Sequence, residues 1–495
     1  MGPGRPAAVL PRWELALYLL VSLGFHFYSF FRVYRDSREY EELLDEEFGL
    51  EPGSLLPGLK KDPTDFEWSF WMEWGRRRLG WLLLGHAALS QVSTLLAKQH
   101  RPWVLTAYGV WACWRALDTP GLALALLHVA VCLGIAQLRS PLLSWLCALL
   151  LLCSLRLDTA VDGKGGWPDG PQSERDLLRF SLTVRCLFCT AASLERGLCG
   201  APLPWVLAYL FYYPTFHNGP VLSFPRFCAQ MRCPQPLSPG ARLALLVAGL
   251  GRLLCWWALA ELLAQLMYTH ALCASPTLLG TVSAWTLGGL ALAQVHFFYV
   301  KYLVLFGVPA LLMRLDGLVP PPQPRCVSTM FSFSGMWRYF DVGLHEFLIR
   351  YVYVPAGGSR HGPLGTLLST ALTFSFVSFW HGGQDDLWCW AALNWLGLSA
   401  ESGARWLAGT PRVRRGLARH LSPAARRRLH AGLASCSTCL LILANLVFLG
   451  GCELGQVYWD RVFLQGWPWV TLLVLGFLYC YAHVGIAWAQ TYAAH

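Results

Sequence analysis

Residues 366–383 read TLLSTALTFSFVSFWHGG, an apolar run that carries a histidine, His381, at its end and is followed by two glycines. The run is long enough to cross much of a bilayer. An ionisable side chain at membrane depth costs about 2.5 kcal/mol or more, so such a residue is a functional candidate by default. Upstream, residues 337–345 read WRYFDVGLH and set Asp341 and His345 among aromatic rings. An acid and a histidine in apolar surroundings are the parts of a proton-transfer site. Two plainer readings compete. A histidine at a helix end is often a hydrogen-bonded structural group, and His345 stands one helical turn after Asp341, where it can pair with that acid.

The rest of the chain decides the setting. Of its 495 residues, 55% are hydrophobic and 14% charged, and apolar runs of about 17–25 residues recur, the length a spanning helix needs. The composition predicts an all-α polytopic membrane protein with roughly 10–13 transmembrane or re-entrant helices. The formal charge of +10 does not indicate nucleic acid, because no nucleic-acid-binding motif accompanies it. The cations gather in short connections instead. Gly403 to His430 holds eight Arg and no acid, which the positive-inside rule assigns to the cytoplasm. The 17 cysteines, with Cys113, Cys132, Cys147, Cys153 and Cys255 inside apolar runs, read as small hydrophobes and not as a disulfide framework.

The first span is expected over Trp13–Phe31, too long and aromatic for a cleaved signal and without an Ala-x-Ala site. Further runs cover 79–97, 103–117, 121–138, 141–155, 177–194, 202–216, 243–268, 276–298, 302–312, 387–398, 440–449 and 469–489. Asp62–Trp74 mixes tryptophans with acids and reads as a helix lying at the membrane interface. On this reading residues 1–100 hold two spans flanking that segment, and 101–495 form a multi-span core whose catalytic region is about 320–400. A polar loop, Asp158–Asp176, contains Gly-Gly-Trp-Pro and the acids Asp169, Glu174 and Asp176. The connection Asp316–Gly365 carries a proline cluster and then an amphipathic stretch, Met336–Tyr353. It is expected to fold into the protein and line a cavity, since irregular backbone is tolerated at membrane depth only there.

Two other chemistries fail on spacing. Asp341, His345, His361 and His381 match no zinc pattern such as His-Glu-x-x-His, and the glycines of 450–457 (GGCELGQV) lack the Lys and Ser/Thr of a phosphate loop. Cys326 follows Arg325, and a neighbouring cation can favour the thiolate, although an ordinary interfacial cysteine reads the same way.

The pairing of Trp380-His381-Gly382 with an acid-bearing upstream segment, together with residues 212–220 (YYPTFHNGP), resembles the membrane-bound O-acyltransferase superfamily. Residues 74–75 (WG), 330–341 (MFSFSGMWRYFD) and 466–469 (GWPW) are similar to its hedgehog-acyltransferase branch, and the resemblance covers nearly the whole chain. It implies helices around a central tunnel in the endoplasmic-reticulum membrane, with the Golgi as the alternative location. There the enzyme would take palmitoyl from palmitoyl-CoA on the cytosolic side and pass it to the N-terminal cysteine amine of a secreted hedgehog protein in the lumen. In the wider superfamily the residue matched to Asp341 is more often Asn, and Asp is what this branch carries. A catalytically silent relative lacks the histidine, whereas His381 is present here.

The resemblance further implies that His381 is the general base and that Asp341 positions the acceptor amine or tunes the site's charge. Asn445 resembles a family position that contacts the thioester region, against the plainer reading of a helix-to-helix hydrogen bond; Trp337 and His345 are further candidates for substrate binding, and the resemblance assigns the cysteine of the matching segment 324–331 (PRCVSTMF), Cys326, to the axial ligation of a haem. Residue chemistry agrees. An N-terminal amine has an ordinary pKa of about 7.7–8.0, and a histidine near 6.5 is suited to accept its proton. A palmitoyl chain gains about 0.8 kcal/mol per buried methylene, so an apolar tunnel can select it by length. The CoA phosphates need cations, for which Arg338, Arg350 and Lys301 are candidates. The basic 403–430 connection suits anionic membrane lipids. An O-acyltransferase acting on a lipid or Ser hydroxyl and a non-enzymatic acyl-CoA carrier stand as alternatives. The carrier is disfavoured because no duplicated halves are evident.

Overall fold

A computed structural model describes residues 10–96, 98–161, 172–195, 202–233 and 238–494. Among them, nine helices are long and apolar enough to cross a membrane: Arg12–Glu39, Phe66–Leu96, Arg101–Gln137, Ser173–Leu194, Pro239–Leu266, Ala284–Leu315, Gly362–His381, Pro423–Leu464 and Trp469–Thr491. The chain is a multi-pass, mainly helical membrane protein, with one short antiparallel pair, Glu51–Pro52 and Lys60–Lys61, among the described residues. The helix starts follow local chemistry. Ser238, Ser283 and Ser422 each accept a backbone N–H from the first turn, which satisfies one orphan donor. Leu243, Val247, Leu250 and Leu254, at spacings of three and four along one helix, are all exposed, the stripe expected of a lipid-facing surface.

Several expected runs fold differently. The runs 103–117 and 121–138 join as Arg101–Gln137, broken where Asp118 turns to φ 55° just before Pro120. Residues 202–216 do not span. Only Leu203–Leu210 is helical, a 3-10 turn follows at Tyr213–Thr215, and Tyr209 to His217 are buried. Such backbone needs internal partners, and the buried Arg185 donates to the carbonyls of Leu210 and Thr215 while its guanidinium lies 3.8 Å over the Phe188 ring. Residues 387–398 and 440–449 are the middles of longer helices, Asp385–Gly409 and Pro423–Trp459.

The tryptophans of Asp62–Trp74 pack inside the protein and are not laid on its surface. Trp68, Phe70, Trp71 and Trp74 are 1–7% exposed, and the helix Phe66–Trp74 runs through a π-helical turn, Gly75–Leu79, into the following span. Its acids point inward to a cation. Lys301 Nζ lies 2.9 Å from both Asp65 Oδ2 and Glu67 Oε2, and the Trp68 indole donates to Glu261 at 2.8 Å. A partner distant in sequence thus converts an amphipathic pattern into a buried one. The 16 described cysteines are all free thiols. Of the polar loop, the Gly-Gly-Trp-Pro run and Asp169 lie outside the described residues, while Glu174 and Asp176 fall in the helix Gln172–Leu194.

Between the spans Ala284–Leu315 and Gly362–His381 the chain makes two short helices, Phe333–Tyr339 and Val342–Leu348, and a π-helical turn, Ile349–Tyr353. Phe333, Leu344, Phe347 and Leu348 are buried, so this connection packs into the protein.

Candidate active site

The helix Gly362–His381 stops at the histidine because Gly382 (φ 138°) and Gly383 (φ 62°) leave the right-handed region, and the Gly383 N–H closes back on the Ser378 carbonyl at 2.9 Å. Only glycine takes such angles freely. Trp380 anchors the last turn by donating its indole N–H to the Thr183 carbonyl at 3.0 Å. The His381 ring is edge-on to Trp380 (4.5 Å between centroids), Trp390 (5.9 Å) and Phe448 (5.3 Å). Among the described residues neither of its ring nitrogens has a hydrogen-bond partner, and the side chain keeps accessible surface. That is the state of a group free to meet substrate, not of a satisfied structural histidine.

Asp341 is the N-cap of Val342–Leu348, its Oδ1 accepting the Leu344 N–H at 2.9 Å. Burial pushes its carboxyl up to about 6, against the opposing pull of the Leu344 and Gly343 N–H groups. His345 does not pair with it. The two share only a backbone bond, His345 N–H to the Asp341 carbonyl, and the imidazole faces cavities instead. Burial and the Arg338 charge lower its basicity. Asp341 reaches the histidine through rings. The adjoining Phe340 stacks on Phe298 at 5.2 Å, Phe298 meets Phe448 at 6.0 Å, and Phe448 meets His381. Asn445 lies one turn before Phe448 on the same helix, with no hydrogen bond among the described residues. The helix-to-helix bond that would explain an amide there is not made.

Trp337 packs on Phe374 (4.8 Å) and Trp390 (5.7 Å), and its indole donates to Asn394 Oδ1 at 2.9 Å. It lines a cavity of about 700 Å³ whose walls include Arg338, His345, Leu348, Phe374, Leu398 and Arg405. A second cavity of about 420 Å³ shares His345 and Ile349 with the first, so the end of Val342–Leu348 and the π-turn partition the two. The 700 Å³ space is apolar with a few cations, the make-up of a pocket for a long-chain ester of a charged group.

The three cation candidates separate. Lys301 is buried and consumed by Asp65 and Glu67. Arg350 is held by Glu195 at 2.9 and 3.2 Å. Arg338 has no acid partner among the described residues and faces the large cavity. His217 lies apart, bonded to Ser181 at 2.6 Å and buried. Cys326 is a half-buried free thiol. Among the described residues no three His, Cys, Asp or Glu side chains form a metal cluster, and the recess lined by Arg325, Arg338 and Tyr339, in whose wall Cys326 does not stand, is about 170 Å³, below the roughly 300–1,000 Å³ of a ligand pocket. Sequence reading missed Trp390, Asn394 and Phe448. Asn394, an amide in a largely apolar helix, carried the same signal that singled out His381.

The family model for the membrane-bound O-acyltransferase family matches residues 83–444. The chain is 65% identical to the mouse protein-cysteine N-palmitoyltransferase HHAT, over 98% of this chain and 99% of that protein. It is 31% identical to the mouse HHAT-like protein, over 95% and 94% of the two chains. It is also 31% identical to the Drosophila melanogaster protein-cysteine N-palmitoyltransferase Rasp, over 55% of this chain and 54% of that one. A bundle of nine candidate spans, a histidine left unbonded at the end of one of them, and a match over residues 83–444 make this chain a member of the membrane-bound O-acyltransferase family.

Proposed function

We propose that this chain transfers palmitoyl from palmitoyl-CoA to the N-terminal cysteine amine of a secreted hedgehog protein, in the endoplasmic-reticulum membrane. The observation that carries the reading is 65% identity along 98% of the chain to a protein-cysteine N-palmitoyltransferase. In the transfer, the neutral amine attacks the thioester carbonyl, the C–N bond forms and the C–S bond breaks. His381, with both nitrogens free, takes the proton from the attacking nitrogen and returns it to the departing thiolate sulfur. Asp341 holds the acceptor amine beside this base. Asn445, one turn from Phe448, contacts the thioester, and Trp337 and His345 bound the acyl chain.

The 700 Å³ cavity supports the donor assignment, with Arg338 for a CoA phosphate. The exposed helix Pro411–His420, which turns Arg414, Arg415 and Arg419 away from Val413 and Leu417, suits anionic lipid headgroups on the cytosolic face. Cys326 would supply the thiol to a haem, but the recess lined by its neighbour Arg325 is about 170 Å³, too small for a porphyrin, and Cys326 is not in its wall, so no step of the transfer is routed through one. An undiminished Soret band in purified Cys326→Ala protein would remove the haem assignment.

The deciding experiment incubates labelled palmitoyl-CoA and a synthetic peptide bearing the hedgehog N-terminal cysteine with purified wild-type and His381→Ala protein. Hydroxylamine-resistant product from wild type alone supports N-palmitoylation. A hydroxylamine-labile product moves the acceptor to a hydroxyl or thiol, and no product from folded wild type moves the function to acyl-CoA carriage.

A further inference from the structure

The helix Asp385–Gly409 begins just beyond His381 and turns one face toward the segment that carries Trp337 and Asp341. Asn394, Gly397 and Glu401 recur on that face at i, i+3 and i+7, within about 60° of one another at 100° per residue. Each grips the helix Phe333–Tyr339 differently. Glu401 accepts the Phe333 N–H at 2.7 Å, the Ser334 N–H at 3.1 Å and the Ser437 hydroxyl at 2.6 Å. A carboxylate there fills two orphan donors of a helix start and meets its positive end. Gly397 leaves a notch for the buried Phe333 ring, which a Cβ would approach to 2.3 Å. Asn394, 3% exposed, accepts the Trp337 indole N–H at 2.9 Å and donates to the Trp390 carbonyl at 2.8 Å.

The consequence falls on Trp337. Its ring stands between Phe374, a wall of the 700 Å³ cavity, and Trp390, a ring that touches His381. Without Asn394 the indole is free to turn about its side-chain torsions. Without Glu401 the helix beneath it keeps its Ser332 cap but loses the acceptor of its Phe333 and Ser334 N–H groups and the tie to the neighbouring helix. A buried amide is costly unless its hydrogen bonds are made, and here Asn394 and the carboxylate of Glu401 both make theirs to a single short helix.

We propose that Asn394 and Glu401 are positioning residues that fix Trp337 between the large cavity and the His381 ring cluster, and so set which acyl-chain length places its thioester at the histidine. The inference rests on the acyl-transfer reading above and deepens it.

The test compares wild type, Asn394→Leu, Asn394→Asp and Glu401→Gln with a series of acyl-CoA donors from 12 to 18 carbons and the N-terminal cysteine peptide, with a thermal melt for each protein. Wild type should favour one length. Asn394→Leu, similar in volume but without an acceptor, should flatten the ratio of kcat/KM between neighbouring lengths by about tenfold. Asn394→Asp, which keeps the acceptor oxygen, should restore it, and Glu401→Gln should fall between. Should Asn394→Leu fail to fold, Trp337→Phe removes the same bond from the other partner and must reproduce the flattened profile. Folded Asn394→Leu with the wild-type length profile overturns the inference while leaving acyl transfer intact. Wild type inactive with every donor instead overturns the acyl-transfer reading.

Discussion

Phe448 meets the His381 imidazole edge-on at 5.3 Å and sits one helical turn beyond Asn445. A helix that begins at Pro423, far along the chain from the Gly362–His381 span, thereby supplies both a wall and an amide to the histidine's surroundings. The same Phe448 ring meets Phe298, which stacks on Phe340 next to Asp341. Three spans and the 333–353 connection converge through aromatic contacts, and the consequences can be measured.

His381→Ala should lower turnover by about a hundredfold or more, the usual contribution of a positioned base, with little effect on the melting temperature, because the ring makes no hydrogen bond among the described residues. Amide product measured alongside the melt checks both parts. Full activity would remove the histidine from the reaction.

Asp341 has two roles that substitution separates. Asparagine caps a helix about as well as aspartate, whereas alanine costs about 0.5–2 kcal/mol. Asp341→Asn should therefore keep the melt and fall to a low but measurable turnover, and Asp341→Ala should lose both. Since burial lifts the carboxyl to about 6, the charged form is lost as pH falls through that value. Wild type should show an acid limb near pH 6 that Asp341→Asn lacks. The stability sign is opposite. A raised acid disfavours folding as pH climbs from the ordinary carboxylate range toward 6, so the pH dependence of the wild-type melt should flatten in Asp341→Asn.

Arg338→Gln should raise the KM for palmitoyl-CoA about tenfold through loss of a charge-assisted phosphate contact, with kcat nearly unchanged. A palmitoyl thioester of N-acetylcysteamine, which has no phosphate, should show no such difference between the two proteins. Equal effects on both donors would mean that Arg338 acts through the fold.

Lys301→Met should lower the melt sharply, because the mostly buried Asp65 and Glu67 would lose their lysine and keep, among the described residues, only His270, 3.4 Å from Asp65, as a basic neighbour. Breaking a buried pair from one side costs about 3–5 kcal/mol. A wild-type melt for this variant would show that the two acids are hydrated. Arg350→Gln, whose partner Glu195 holds an arginine about half exposed, should change the melt little.

What the amino-acid sequence determined by itself was everything that depends on local hydropathy and on residue type. Apolar runs of spanning length made the chain a helical membrane protein, and an ionisable residue ending such a run singled out His381, because a lone ionisable group is costly at membrane depth and is legible from residue type and local hydropathy alone. The acid and histidine among the rings around Trp337 and Asp341 marked the connection between two spans as the candidate site. Only the tertiary structure decided which polar groups face inward and which cations are free. The tryptophans and acids of Asp62–Trp74 have the pattern of an interface helix until Lys301, far along the chain, pairs with Asp65 and Glu67 and draws the segment into the interior. The run 202–216 passes as a span until Arg185 satisfies its broken backbone. Lys301, Arg338 and Arg350 are equivalent as letters and differ only in whether an acid reaches them. Pairing across sequence distance is set by packing, which periodicity does not encode, and for that reason Asn394 and Glu401 acquire a role only once their helix lies against Phe333–Tyr339.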